Sequence, residues 1–171
     1  EAFERVPAEG EGGSAVNVTK IEALSGGAVW LLTETEGAIR IDTNPEDYSL
    51  TSQWYSAQSG QFSATRVFGV YEDLLGNEWI LSDNGLGMLT AGQTTPTSYF
   101  VDAAEREKKG GQAFYSCLEY NSEIYFGSDN GRVWCYQKEN GQFQLQNLPA
   151  SSRIVSINSV EGNELIFTTA K

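Results

Sequence analysis

The chain of 171 residues contains no histidine. That excludes Ser-His-Asp and Cys-His nucleophile activation, and it excludes His-ligated zinc or iron. Carboxylate-pair hydrolysis stays open, because it needs only Asp and Glu. Cysteine is nearly as scarce. Cys117 and Cys135 are too few for a disulfide scaffold, and their 18-residue spacing fits no metal motif. No cofactor is expected. No apolar run approaches the roughly 20 residues that span a bilayer. No basic segment followed by an apolar one opens the chain, so no signal peptide is visible. Cationic residues are few as well: 11 Lys+Arg stand against 23 Asp+Glu, a formal net charge of −12. Nucleic acid and anionic membrane surfaces both require clustered positive charge, so neither is an expected partner.

Enough apolar material remains for a packed domain. Hydrophobic residues make up 40% of the chain and aromatics 12%. The most informative stretch is "VFGVYEDLLGNEWILSDNGLGML", Val67 to Leu89. It alternates apolar residues with Gly- and Asn-rich turns, in the order strand, turn, strand, turn, strand. The pattern recurs. Shifted back by 49 it falls on "VTKIEALSGGAVWLLTETEGAI", with Gly76 on Gly27 and Trp79 on Trp30. Shifted forward by 46, "SDNG" at 82–85 falls on "SDNG" at 128–131, and Tyr125 takes the Trp position. A shift of 86 lays "GNEWILS" on "GNELIFT", where Leu165 takes it. Units of about 40–50 residues with four strands each are the mark of propeller blades.

The expected architecture is all-β, a β-propeller segment of about 3.75 four-stranded antiparallel blades. The first unit places strands near 16–21, 28–33, 38–42 and 51–56. The second places them near 66–72, 78–82, 86–90 and 98–102. The third places them at 114–119, 123–128, 132–137 and 142–148. The fourth has strands A and B only, at 154–159 and 164–169. "AFERV", Ala2–Val6, reads as a lone strand D of a preceding blade. The chain then divides into 1–13 (strand D and linker), 14–57, 58–103, 104–149 and 150–171. The charged patch from Asp102 to Gly110 is too short and too polar on every side to be a stable helix, so it reads as a connecting loop.

The pattern V-x-x-V-x-x-D-x-x-G-x-x-W-I followed by N-G-L resembles the two-component regulator propeller repeat. Here it is carried by Val67, Val70, Asp73, Gly76, Trp79, Ile80, Asn84, Gly85 and Leu86. The chain departs from it where Leu24 replaces the Asp and where the third and fourth units lack the Trp. The resemblance implies the periplasmic sensor part of a bacterial hybrid two-component system, responsive to polysaccharides or their breakdown products. In full length such a protein adds a membrane span and a histidine kinase. The ligand it implies is an oligosaccharide.

Recurrence at one strand-B position marks Trp30 and Trp79 as interblade packing, where an aromatic buries most area. Trp54 and Tyr55 do not recur. They are candidates for an exposed aromatic pair that stacks on a sugar face. Arg66 and Arg153 both open a strand A, on the side where B–C and D–A loops of propellers meet. They are candidates to fork onto a carboxylate or sugar acid. The Asp-Asn-Gly turns with Asp83 and Asp129 lack EF-hand spacing and are explained by turn chemistry. The loop Ala104–Gln112 reads as a solvated basic surface.

The β-array read from the residues, taken with what the resemblance implies, gives the expectation of a non-enzymatic sensor or ligand-binding propeller segment. A carboxylate-dependent glycosidase or lyase, and a protein-interaction scaffold, stand as the alternatives. An enzyme requires two carboxylates converging within roughly 5–10 Å. Two expectations concern structure. Cys117 and Cys135 lie on strands A and C of one blade, about two interstrand spacings of roughly 4.8 Å apart, beyond the Cα limit of about 7 Å for a disulfide. Strand B of the fourth unit needs a neighbour, from the remainder of a longer sensor or from a second copy of the chain.

Overall fold

The computed structural model describes residues 16–101, 113–161 and 164–170. The expected strand Ala2–Val6 and the basic loop Ala104–Gln112 lie outside the described residues. Fourteen strands form antiparallel sheets, and the described residues contain no helix. Sheet 1 comprises β1 (Val18–Ala23), β2 (Val29–Thr33), β3 (Ala38–Thr43) and β4 (Leu50–Tyr55). Sheet 2 comprises β5 (Val67–Glu72), β6 (Glu78–Ser82), β7 (Gly85–Leu89) and β8 (Thr97–Tyr99). Sheet 3 comprises β9 (Phe114–Tyr120), β10 (Glu123–Ser128), β11 (Arg132–Gln137) and β12 (Gln142–Asn147). Sheet 4 pairs β13 (Ile154–Val160) with β14 (Glu164–Thr169). Each sheet pairs its strands in chain order, so each is a meander.

Consecutive sheets pack face to face. That explains why β6, "EWILS", is buried at four successive positions and not at alternate ones. It has one neighbouring sheet on either side. Trp30 and Trp79 are fully buried. Trp30 packs with Val67, Val70, Ile80 and Leu89 of sheet 2. Trp79 meets Phe126 at 5.0 Å and Tyr136 at 4.8 Å, both of sheet 3. Both are therefore packing residues between sheets, as their recurrence predicts. Tyr125, the third anchor, is half-buried against Ile154, Ile157 and Phe167 of the two-stranded sheet 4.

The Leu24 departure has a physical consequence. In sheet 2 the Trp79 indole donates to Asp73 at 3.1 Å, within its own sheet. Sheet 1 has Leu24 there, and the Trp30 indole donates instead to Glu78 of sheet 2 at 2.7 Å. Arg40 donates to the same carboxylate at 2.8 and 3.0 Å. A lost intrasheet bond has become a latch between sheets.

A second recurrent device lies at the end of strand B in sheets 1, 2 and 3. Thr33, Ser82 and Ser128 are buried hydroxyls that donate to the carbonyls of Gly37, Gly85 and Arg132 across the B–C turn. Gly85 holds φ +101°, and a Cβ there would stand 2.3 Å from the Tyr99 carbonyl oxygen. Only glycine fits. Gly37 meets the Tyr55 carbonyl oxygen in the same way, with φ +79° and 2.3 Å. These turns therefore press directly on the chain leaving strand D.

Strand limits differ from the expected ones at the ends. β1 runs two residues later than expected, because Asn17 is held in the preceding loop by its side chain bonding Glu34. β8 is short, since Phe100 turns to φ +61° and leaves the ladder. Cys117 and Cys135 are both free thiols. They stand on either side of β10, where Phe126 pairs with Cys117 and Tyr125 with Cys135. This is the intervening strand that the sequence required.

Candidate functional site

Every first strand carries a β-bulge at the same repeat position. In β1 the pairing steps from Val18–Thr33 to Lys20–Leu32, leaving Thr19 as the extra residue. In β5 it steps from Val67–Ser82 to Gly69–Leu81, leaving Phe68. In β9 the extra residue is Tyr115, and in β13 it is Val155. A bulge frees one residue from the ladder and re-aims its side chain. Here it sets Phe68 and Tyr115 against each other across two sheets, ring centroids 4.7 Å apart.

Below this aromatic pair the first strands line one groove of about 260 Å³. Lys20 and Glu22 of sheet 1, Gly69 and Tyr71 of sheet 2, Ser116 and Cys117 of sheet 3, and Ser156 of sheet 4 contribute to it. Its floor is open at Gly69, where an added Cβ would meet only the Glu22 carboxylate, at 3.8 and 4.0 Å. Glu22 is fixed from two sides. It pairs with Lys20 at 2.5 Å and accepts the Val70 amide at 2.5 Å. Burial pushes the Cys117 thiol up to about 12, with Glu22 adding to the shift, so the groove holds a neutral thiol at physiological pH.

The arginines singled out by the sequence stand at the mouth of this groove. Arg66 lies 5.4 Å over the Phe68 ring, and Arg153 lies 5.2 Å over the Tyr115 ring. The loop position of Arg66 is set by the two neighbouring B–C turns. Its backbone bridges Gly37 of sheet 1, and its amide donates to Asp83 of sheet 2 at 3.1 Å. The Tyr115 hydroxyl donates to Asp129 at 3.0 Å. Burial raises its pKa, the Asp129 contact adds to that, and Arg153 pulls the other way.

Trp54 and Tyr55 do not join this group, and they do not form an exposed pair. Successive residues of a strand point to opposite faces. Tyr55 is fully buried, its ring tilted against Trp30 at 4.9 Å, with its hydroxyl donating to the Thr94 carbonyl at 2.9 Å. Burial pushes its pKa up to about 12. Trp54 is half-buried on β4, the fourth strand of sheet 1, whereas the groove lies along the first strands. A second groove, of about 220 Å³, lies among Thr35, Glu36, Ser56, Ala57, Gln58, Ala64 and Thr65. Sequence reasoning missed Phe68 and Tyr115. The available signal was their shared offset of two residues after an inter-repeat loop, one apolar residue too many for strict alternation.

No family model matches the chain, and no curated protein matches it. Solved structures do. The extracellular domain of the hybrid two-component system BT3049 of B. thetaiotaomicron aligns with 88% of this chain at TM-score 0.68 and 17% identity. PorZ of Porphyromonas gingivalis, a bacterial surface component of the type-IX secretion system, aligns with 99% at TM-score 0.65 and 15% identity. The WD40 domain of Neurospora crassa Pan2 aligns with 90% at TM-score 0.60 and 9% identity. The chain is propeller-like in fold. It spans only 20% of the BT3049 chain, 26% of the PorZ chain and 44% of the Pan2 chain.

Proposed function

We propose that this chain is a non-enzymatic, ligand-binding β-propeller segment of an extracellular or periplasmic sensor in a hybrid two-component system. Its ligand is derived from a polysaccharide and is held in the groove along the first strands. The observation that carries the reading is the bulge repeated in four successive sheets, which builds one shared groove from equivalent positions. Likeness to the extracellular domain of BT3049 supports the sensor assignment and the location. The repeat resemblance supports the glycan. Glu22 is the single carboxylate among the groove-lining residues, and carboxylate-pair hydrolysis needs two. In the second groove Glu36 is likewise alone.

Signalling in this reading is a population shift. Rigid sheets transmit ligand occupancy to an interface elsewhere in the sensor and bias an equilibrium that already exists there. The sheets continue into a closed ring by pairing with the remainder of a longer sensor chain or with a second copy. Titration calorimetry against an oligosaccharide panel, paired with a reducing-end assay, tests the proposal. Binding without product supports it, and released reducing ends overturn it in favour of a glycosidase or lyase.

An interaction scaffold is the second reading. It is favoured by Leu74 and Leu75, 88% and 67% exposed on the turn between β5 and β6. That turn is held rigid, with Asp73 accepting the Leu75 and Asn77 amides at 2.9 Å each.

A further inference from the structure

Among the described residues, Arg66 and Arg153 are exposed cations that pair with no carboxylate, in a chain of net charge −12. Lys20, Arg40 and Lys138, by contrast, each pair with a carboxylate. The acids of the two adjoining B–C turns already accept hydrogen bonds from other donors. Asp83 accepts the Thr65 amide, the Thr65 hydroxyl and the Arg66 backbone amide. Asp129 accepts the Tyr115 hydroxyl.

Each guanidinium instead lies over a ring, and the two rings pack against each other at a 42° tilt. A guanidinium laid over a ring uses its face there and keeps its in-plane N–H fork for an acceptor. It is also held in place beforehand, so less side-chain freedom is lost when the acceptor arrives. The arginines sit on different rings, carried by different sheets, and so suit anionic groups on separate residues of an oligomer.

We propose that Arg66 and Arg153 form an anion-binding pair at the mouth of the groove. It takes carboxylate or sulfate groups of an acidic oligosaccharide whose body lies along Gly69, Ser116 and Ser156. This rests on the ligand-binding reading above and specifies the charge of the ligand. A uronic acid and a sulfated sugar present the same acceptor geometry to an arginine fork.

The test is titration calorimetry of the whole chain with a galacturonic-acid trimer, a sulfated chondroitin tetrasaccharide and a neutral cello-oligosaccharide. Wild type is compared with the Arg66→Gln/Arg153→Gln double variant. Both side chains are exposed, so the melting temperature of the variant stays at the wild-type value. The expected result is binding of an acidic oligomer that weakens as salt is added. The double variant weakens it about tenfold or more, as loss of a charge-assisted hydrogen bond does. Which acidic arm binds tells carboxylate from sulfate. Neutral oligomer binding as tight as acidic, or acidic binding unchanged in the double variant, overturns the anion site and leaves the ligand-binding reading standing. No binding in any arm overturns both.

Discussion

At Asp73 two opposing effects meet. Burial raises the pKa of its carboxyl, but donors from Asn77, the Trp79 indole and the Asn77 and Leu75 amides outweigh it, and the net shift is downward. A depressed folded pKa contributes stability that is present above the unfolded value of about 3.9 and is lost as pH falls through the folded value. The urea midpoint of the wild type should therefore fall below about pH 4. In Asp73→Asn that fall should be shallower, from a lower starting point. An equal slope in the two proteins would contradict the assignment. Trp79→Ala should cost about 3–5 kcal/mol, since it empties a site bounded by rings of two sheets. A stable variant that loses only ligand affinity would contradict the packing role. Both thiols are pushed up to about 12, chiefly by burial, with Glu123 adding to the shift at Cys135. Dithionitrobenzoate should react with them in denaturant and barely at all in native buffer. Mass spectrometry should find no Cys117–Cys135 bond.

Between elements, the latch of Trp30, Arg40 and Glu78 binds sheet 1 to sheet 2. Glu78→Ala leaves two donors short of an acceptor and should cost about 1–3 kcal/mol. Hydrogen exchange should then speed up along β2 and β5 more than along β10. Exchange unchanged in β2 would mean that the ion pair adds nothing. Most strands were legible in the sequence, because Gly and Asn turns punctuate them and alternation fills the intervals. β10 and β11 begin and end where the alternation places them. Trp30 and Trp79 were legible through recurrence. The bulges were not, because a bulge adds one residue without changing composition. They set Phe68 and Tyr115 at the mouth of the candidate groove, so those two rings were not legible, whereas the arginines that lie over them, Arg66 and Arg153, were singled out by position. Tyr55 misled for a different reason. Two adjacent aromatics say nothing about which face of a strand is covered, and the face of Tyr55 is covered by Trp30 and by the carbonyl of Thr94.

For the whole molecule, the described residues give β14 one neighbour, β13, and leave Ile166 50% exposed. An apolar strand edge seeks a partner. The isolated chain should therefore self-associate, giving sedimentation species heavier than 18.7 kDa. A strictly monomeric, cooperatively folding species would show that the edge is covered within the chain. The central claim is that the groove along the first strands holds the ligand, and Gly69 gives the most direct test. Its φ is not positive, and its added Cβ makes only ordinary contacts with Glu22. Gly69→Leu should fill the groove while leaving the sheets intact. The measurement is calorimetric affinity for a bound oligosaccharide in wild type and Gly69→Leu, with melting temperature recorded for both. The account predicts equal melting and a loss of affinity of about tenfold or more, as a blocked site requires. Equal melting with undiminished affinity would place the ligand elsewhere and contradict it.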